Sequence, residues 1–366
     1  MMATTALEPV PTSASSELVA GWERLADELD ASPFLHPGFV IAWWRAFGHA
    51  PLQAAVARRE GRIVGLLPLV ARRGVIGSPA NWHMAETGVL AEDEQTAAAL
   101  AHAVLAERPR RVAFAFVERD SSWAATLRQA IAEAGWPSIE RSLQNAPFVE
   151  LDGDWEAFEQ ALPARERKEQ RRRARRLSEQ GRVWLDVDDG SERLEARLEE
   201  LVRVEGLGWK GEQGTAIGSQ PATLQFYGDV ARWAAARGCL RLQALRLDDA
   251  PIAVAFALEL HGVQYSLKIG YDPAHRSAGP GVAMMREVVR RAFEDGIRGI
   301  ELLGGEDRHK ALWSSGVRER VVIQAFSPSM AGRRDRLVFT HVRPLAKRLN
   351  AQRLLARLPG QDRPRV

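Results

Sequence analysis

A chain of 366 residues is too long for one small core and suits two lobes of ordinary domain size. Its apolar and charged fractions, 46% and 27%, exclude extensive disorder away from the ends, and a formal charge of +3 excludes a uniformly polyionic protein. Cys239 is the only cysteine, which excludes an internal disulfide framework and a thiolate zinc cluster.

Met1 to Ser15 is rich in Ala, Thr, Ser and Pro and is expected to be disordered. It lacks the basic start and apolar core of a signal peptide, and no run approaches the roughly 18 apolar residues that span a bilayer. The expected location is therefore reducing cytoplasm, with any membrane contact peripheral and at the inner face.

Ser16 to Leu29 and Pro37 to Phe47 read as helices, the first opening on a serine cap and the second on a proline. Leu52 to Arg59 and Ile63 to Arg72 read as a hairpin around Glu60-Gly61-Arg62. Glu92 to Glu107 is a helix, Val112 to Val117 a strand, Ser121 to Gly135 a helix and Ile139 to Leu151 a strand. The second half follows a similar order. Helices cover Trp155 to Gln180, Glu192 to Val204 and Pro221 to Arg237. Leu240 to Leu247, Ile252 to Leu260 and Val263 to Tyr271 form an antiparallel meander. A helix from Gly281 to Glu294, a strand from Gly299 to Leu303, a short helix from Asp307 to Ser314 and a strand from Glu319 to Phe326 complete it. The pattern predicts two α/β lobes of related topology: an N-terminal lobe over 16–150, a C-terminal lobe over 151–330 and a basic helical tail over 331–366.

Between the meander and the helix at Gly281 lies Arg276-Ser277-Ala278-Gly279-Pro280-Gly281, with the spacing Arg-x-x-Gly-x-Gly. Glycines let main chain approach phosphate oxygens, and the first turn of a helix offers N–H donors aligned with its dipole. Arg276 adds a charge-assisted donor, whereas Pro280 has no N–H to give. The same six residues could simply turn the chain into a helix. Their place at a strand-to-helix junction favours the anion site.

At this point the sequence resembles the GNAT superfamily of N-acetyltransferases, whose cofactor motif is Arg/Gln-x-x-Gly-x-Gly/Ala at this junction. It is more specifically similar to the BioF-like and cellulose-biosynthesis CelD-type acetyltransferase domains, related to the FemAB aminoacyltransferases. The segments that carry the likeness are Pro33-Phe34-Leu35-His36-Pro37 with Trp43-Trp44, the Arg-rich run ending Leu177-Ser178-Glu179-Gln180-Gly181, Gly208-Trp209-Lys210, Ala250-Pro251-Ile252-Ala253, and Glu301-Leu302-Leu303-Gly304-Gly305 with Lys310 and Trp313. The resemblance implies two GNAT-like lobes in tandem, each a mixed, largely antiparallel sheet flanked by helices. It implies acetyl-CoA or another acyl-CoA as co-substrate, with the diphosphate on Arg276, Ser277, Ala278, Gly279, Gly281 and Val282 and the pantetheine arm along Val263 to Tyr271. The N-terminal lobe has no equivalent loop, so a single site is expected.

Acyl transfer to an amine or hydroxyl needs a base, oxyanion donors and an acid for the thiolate. Glu301 is the first candidate base, being a carboxylate among apolar neighbours in the strand beside the meander. It could equally be a strand glutamate facing solvent. His309 replaces the tyrosine of related sequences and is a candidate acid or clamp; Tyr265 is a candidate phenol donor. Trp209 and Lys210, with Lys310, suit an anionic group on the substrate. No Gly-x-Ser-x-Gly elbow and no His-x-x-x-His spacing occurs, so neither a serine nucleophile nor a metal is expected.

Arg165 to Arg176 holds eight basic residues against two glutamates. Either it is a solvated face or it meets a phosphate-rich partner such as coenzyme A, anionic lipid, a lipid-linked sugar or a transfer RNA. DNA is not expected. Arg343 to Leu358 alternates leucines and arginines and could lie on a membrane surface or pack on the body. The expected activity is acyl-CoA-dependent N-acylation of a small or cell-envelope acceptor. The alternatives are a FemAB-like aminoacyl-tRNA-dependent transferase and a non-catalytic accessory of polysaccharide biosynthesis.

Overall fold

The computed structural model describes residues 3–11, 16–208, 211 and 213–342. In chain order they form β1 (Thr4–Pro9), α1 (Glu17–Glu28), α2 (Pro37–Phe47), β2 (Leu52–Arg59), β3 (Arg62–Arg72), β4 (Val75–Gly77), β5 (Leu90–Ala91), α3 (Glu94–Ala106), β6 (Arg111–Glu118), α4 (Ser122–Glu133) and β7 (Ser138–Glu150). There follow α5 (Trp155–Ala161), α6 (Ala164–Ser178), β8 (Val183–Asp188), α7 (Leu194–Gly206), α8 (Pro221–Ala236), β9 (Leu240–Leu247), β10 (Ala250–Leu260), β11 (Val263–Tyr271), α9 (Pro280–Glu294), β12 (Gly299–Glu301), α10 (Arg308–Ala311), β13 (Gly316–Phe326) and α11 (Met330–Leu337). Several helices start where a side-chain oxygen takes up an unpaired N–H: Ser16, Asp93, Ser121 and Asp154 each accept from the residue three further on.

Four expectations change. Thr4–Pro9 is not disordered but pairs antiparallel with β2, because an open sheet edge offers main-chain bonds to any extended segment whatever its side chains. The helix expected from Trp155 to Gln180 is two helices. Leu162 precedes Pro163 and is driven to φ −64°, ψ 149°, outside the helical region. Val183–Asp188, an apolar run interrupted by Asp186 and Asp188 and not foreseen as a strand, is an edge strand on β9. The strand expected to reach Leu303 stops at Glu301, since Leu303 and Gly304 both take positive φ.

The chain divides into two compact units that are not successive stretches. The first takes the chain up to Trp44, Gly48–Gln144 and the residues from Glu319; the second takes Arg45–Phe47 and Asn145–Arg318. The chain passes from the first unit to the second within β7 and returns within β13.

The first unit's strand order is β1-β2-β3-β4-β6-β13, with β5 beside β3, and β4 with β6 is its parallel pair. Leu100, Val104, Trp123 and Leu127 of α3 and α4 bury against Leu67, Phe114 and Ile323 of this sheet.

The second unit runs β7-β12-β11-β10-β9-β8, and its parallel pair is β11 with β12. Leu245, Ala253, Ala255, Ile269 and Tyr271 turn to one face, which Met284, Val288 and Val289 of α9 and Leu177 of α6 cover. Phe226 and Tyr227 of α8 cover the other face, Tyr227 meeting Phe256 edge to face. Helix α7 packs on the same side, and a Cβ on Gly270 would lie 2.6 Å from the Cα of Glu205. That close approach requires glycine.

Candidate functional site: a parted strand pair in the second unit

Strands β11 and β12 pair only at Val263, Gln264 and Tyr265, opposite Gly299, Ile300 and Glu301. Beyond Tyr265 they part. The register of β10 on β11 skips Leu267, a bulge that bends β11 at the start of the gap. A cleft of about 620 Å³, open to solvent, fills the gap. Ser266, Leu267, Lys268 and Ile269 form one wall, Leu302, Leu303 and Gly304 the other, and Met284, Met285 and Val288 of α9 the floor. Main-chain groups freed from strand pairing in this way can bond an extended, amide-bearing ligand as a neighbouring strand would.

One turn before Met284, α9 begins. The chain enters through a 3-10 turn, Pro273–Ala278, and Gly279 is the N-cap in the left-handed conformation, φ 69° and ψ 53°. Helix α9 therefore starts at Pro280 rather than Gly281. Arg276 and Ser277 are exposed, whereas the Ala278 side chain is in the core, so Ala278 can serve a ligand through its main chain only. The N–H groups of Val282 and Ala283 both reach the carbonyl of Gly279. With Pro280 lacking an N–H, the first turn offers few donors. A positive group stands close by instead: Nη1 of Arg173, from α6, lies 2.5 Å from where a Cβ on Gly279 would sit.

Glu301 and Tyr265 are register partners at the fork, and Phe148 of β7 flanks Glu301 on its other side. Glu301 is buried, not facing solvent, and its Oε1 accepts from Arg318 Nε at 2.8 Å. The Arg318 guanidinium lies 4.4 Å above the Phe148 ring. Tyr265 is opposite Leu258, and Lys268 opposite Phe256, so both point to the α8 face rather than to α9. Lys310 lies at the cleft rim, where its Nζ donates to the Leu303 carbonyl at 2.6 Å and the Gly305 carbonyl at 3.3 Å. Asp307 caps α10 by accepting from His309 N and Lys310 N, which leaves His309 exposed. Trp209 and Lys210 lie outside the described residues, as does Arg343 to Leu358.

Three groups near the cleft escape a reading of the sequence. Lys268 Nζ sits 5.6 Å above the Tyr227 ring and donates to the Thr215 carbonyl. Burial, reinforced by the Glu205 carboxylate, pushes the Tyr227 phenol above its ordinary pKa. Glu205 is itself buried and accepts from Ile217 N at 2.8 Å, fixing the segment that follows Trp209 and Lys210. Its place just ahead of Gly208-Trp209-Lys210 is the one signal that could have found it.

The parallel pair of the first unit is the counterpart of this fork, and there the gap is closed. Beyond Gly77, Ser78 N bonds the Ala113 carbonyl, and Ala115 N donates to Ser78 Oγ at 3.0 Å. Thr87 N bonds the Phe116 carbonyl and Thr87 Oγ1 the Ala115 carbonyl. The main chain of β6 is thus taken up by the protein's own residues.

Residues 164–311, which contain this fork, match the family model described as acetyltransferase (GNAT) domain. This stretch is a GNAT acyltransferase domain. Among solved structures, FemX matches with a TM-score of 0.59 at 11% identity, over 87% of this chain and 96% of that one. The C-terminal domain of a protein named as a lysylphosphatidylglycerol synthetase from Agrobacterium fabrum matches at 0.54 and 13% identity, over 87% and 95%. A conserved protein of unknown function from Bacteroides thetaiotaomicron matches at 0.56 and 13% identity, over 89% and 100%. These likenesses, with the family match, show a fold of the GNAT superfamily in a FemAB-related form. Comparison with curated proteins gives no match. No helix among the described residues is long and apolar enough to cross a membrane.

Proposed function

We propose that the protein transfers an acyl group, most simply acetyl, from coenzyme A to an amine. The observation that supports this is the parted pair β11 and β12, which opens between the glycine loop and a buried carboxylate. In this reading Arg276, Ser277, Gly279 and Gly281, with the main chain of Ala278, hold the diphosphate, and Val282 stands beside it with its N–H bonded to the Gly279 carbonyl. The pantetheine arm lies along Ser266 to Ile269, and the thioester reaches the fork at Tyr265 and Glu301.

The acceptor enters from the α8 face. Its nitrogen attacks the thioester carbon, the carbon–sulfur bond breaks, Glu301 takes the proton from nitrogen, and Tyr265 or His309 returns a proton to the thiolate. No covalent enzyme intermediate is needed. Buried Cys239 is placed for none. Arg318 acts as a positioning residue for Glu301. Lys310, Trp209 and Lys210 suit an anionic portion of the acceptor, such as the carboxylate or phosphate of a cell-envelope precursor. The basic face of α6 could also bring the protein to anionic lipid from the cytoplasmic side.

The FemX and lysylphosphatidylglycerol synthetase likenesses keep a second donor in view, an aminoacyl-tRNA. Calorimetric titration decides between them. Acetyl-CoA is expected to bind at micromolar concentrations and to weaken in Arg276→Glu; absence of binding by any acyl-CoA, with binding of aminoacyl-tRNA, would reverse the assignment. Thiol release measured over a panel of amino sugars and amino acids would then name the acceptor.

A further inference from the structure

The basic run in α6 has so far been only a surface, yet one side of that helix is not. Gln170, Arg173 and Leu177 share a face spaced by three and four residues, and this face packs on the 3-10 turn Pro273–Ala278 and on α9. Leu177 belongs to the core there. Gln170 is 4% exposed, and neither its amide nitrogen nor its amide oxygen has a hydrogen-bond partner. A buried amide left so is costly unless a ligand completes it. Arg173 is half-buried. Its Nε donates to Glu169 at 2.8 Å, and its Nη1 lies against Gly279. Glu169, bonded to both Arg172 and Arg173, has its carboxyl pulled down to about 2, so it holds Arg173 in this place throughout the neutral range.

We infer that Arg173, assisted by Gln170, is a ligand-binding residue of the acyl-CoA site that contacts the diphosphate across the Gly279 loop. The inference rests on the acyl-CoA reading above. Its physical basis is a shortage and a surplus at one point. Pro280 removes an N–H from the first turn of α9, and Val282 and Ala283 spend theirs on Gly279. A guanidinium over Gly279 supplies planar, charged donors where the helix end is short of them. Gly279 then serves twice, since its left-handed φ and the room for Arg173 both exclude a side chain. Other arginines of the run differ: Arg171 and Arg175 have side chains 70% and 74% exposed and pair with Glu159 and Glu179.

The test uses the full chain and three probes: acetyl-CoA, acetyl-3′-dephospho-CoA and inorganic pyrophosphate as a competitor. Arg173→Met is expected to weaken both thioesters equally, by about 10- to 100-fold, and to abolish competition by pyrophosphate, whereas Arg175→Met leaves all three unchanged. Gln170→Leu is expected to weaken acetyl-CoA severalfold while leaving the unliganded protein at least as stable to heat. That combination separates a ligand contact from a packing role. Undiminished acetyl-CoA binding by Arg173→Met would overturn the inference and leave the acyl-CoA reading standing. A loss confined to the 3′-phosphorylated thioester would also overturn it, by moving Arg173 to the other phosphate. Absence of acetyl-CoA binding in the unsubstituted chain would remove both readings together.

Discussion

Each unit contains one parallel strand pair in an otherwise antiparallel sheet, and the two pairs have opposite fates. In the second unit, β11 and β12 stay together for three residues and then leave main chain facing an open cleft. In the first, β4 and β6 also pair for three residues, but Ser78 and Thr87 return to bond the main chain beyond the pair. The same topology therefore gives an open cleft in one unit and, in the other, a closed structural edge where side chains satisfy the main chain. A gap in a sheet becomes a site only if the protein itself leaves it unfilled.

The contrast can be broken most sharply at the fork. Glu301→Gln is expected to lower kcat for thiol release by about 100- to 10,000-fold with acetyl-CoA affinity unchanged, as removal of a general base does. Retained turnover would reassign Glu301 to a structural pair with Arg318. Gly279→Val, which places a branched side chain at φ 69° and against Arg173, should weaken acetyl-CoA by about 10- to 100-fold in a titration.

The opposite outcome is expected in the first unit. Ser78→Ala with Thr87→Val should cost about 1–3 kcal/mol in denaturant unfolding and leave acetyl-CoA affinity untouched. A drop in affinity would mean that the closed pair is not independent of the open one. The smallest effect is at the α3 cap, where Asp93→Ala should cost about 1 kcal/mol at neutral pH. Hydrogen bonds from Thr96, and then Arg59, lower the Asp93 pKa below its ordinary value. This stabilisation is therefore complete above the ordinary carboxylate range and lost as pH falls through the lowered value. The difference between Asp93→Ala and the unsubstituted protein should vanish in acid.

The helices that show 3.6-residue periodicity and a capping residue, such as Glu17–Glu28 and Ser122–Glu133, were legible to within two residues, as was the meander from Leu240 to Tyr271. The glycine loop was legible because its residues are consecutive. What stayed hidden depends on pairing between distant segments. Thr4–Pro9 and Val183–Asp188 are strands by virtue of an available edge rather than of their composition. The partners Glu301 and Arg318 meet across a sheet, and Arg173 reaches Gly279 from more than a hundred residues away. The basic run was visible as charge, but no spacing in it shows which arginine turns inward. Only the burial of Gln170 and Leu177 identifies that face.

The passage of the chain through β7 and back through β13 has a consequence for the order of folding during synthesis. The N-terminal unit is made first, but the strand that flanks β6 comes from residues 320–326. Until those residues emerge from the ribosome, β6 has an open edge. Phe114 and Val117 lack their registered neighbours Ile323 and Val321. The second unit is complete earlier in the chain, so the half that carries the open cleft can close its core before the half that was translated first.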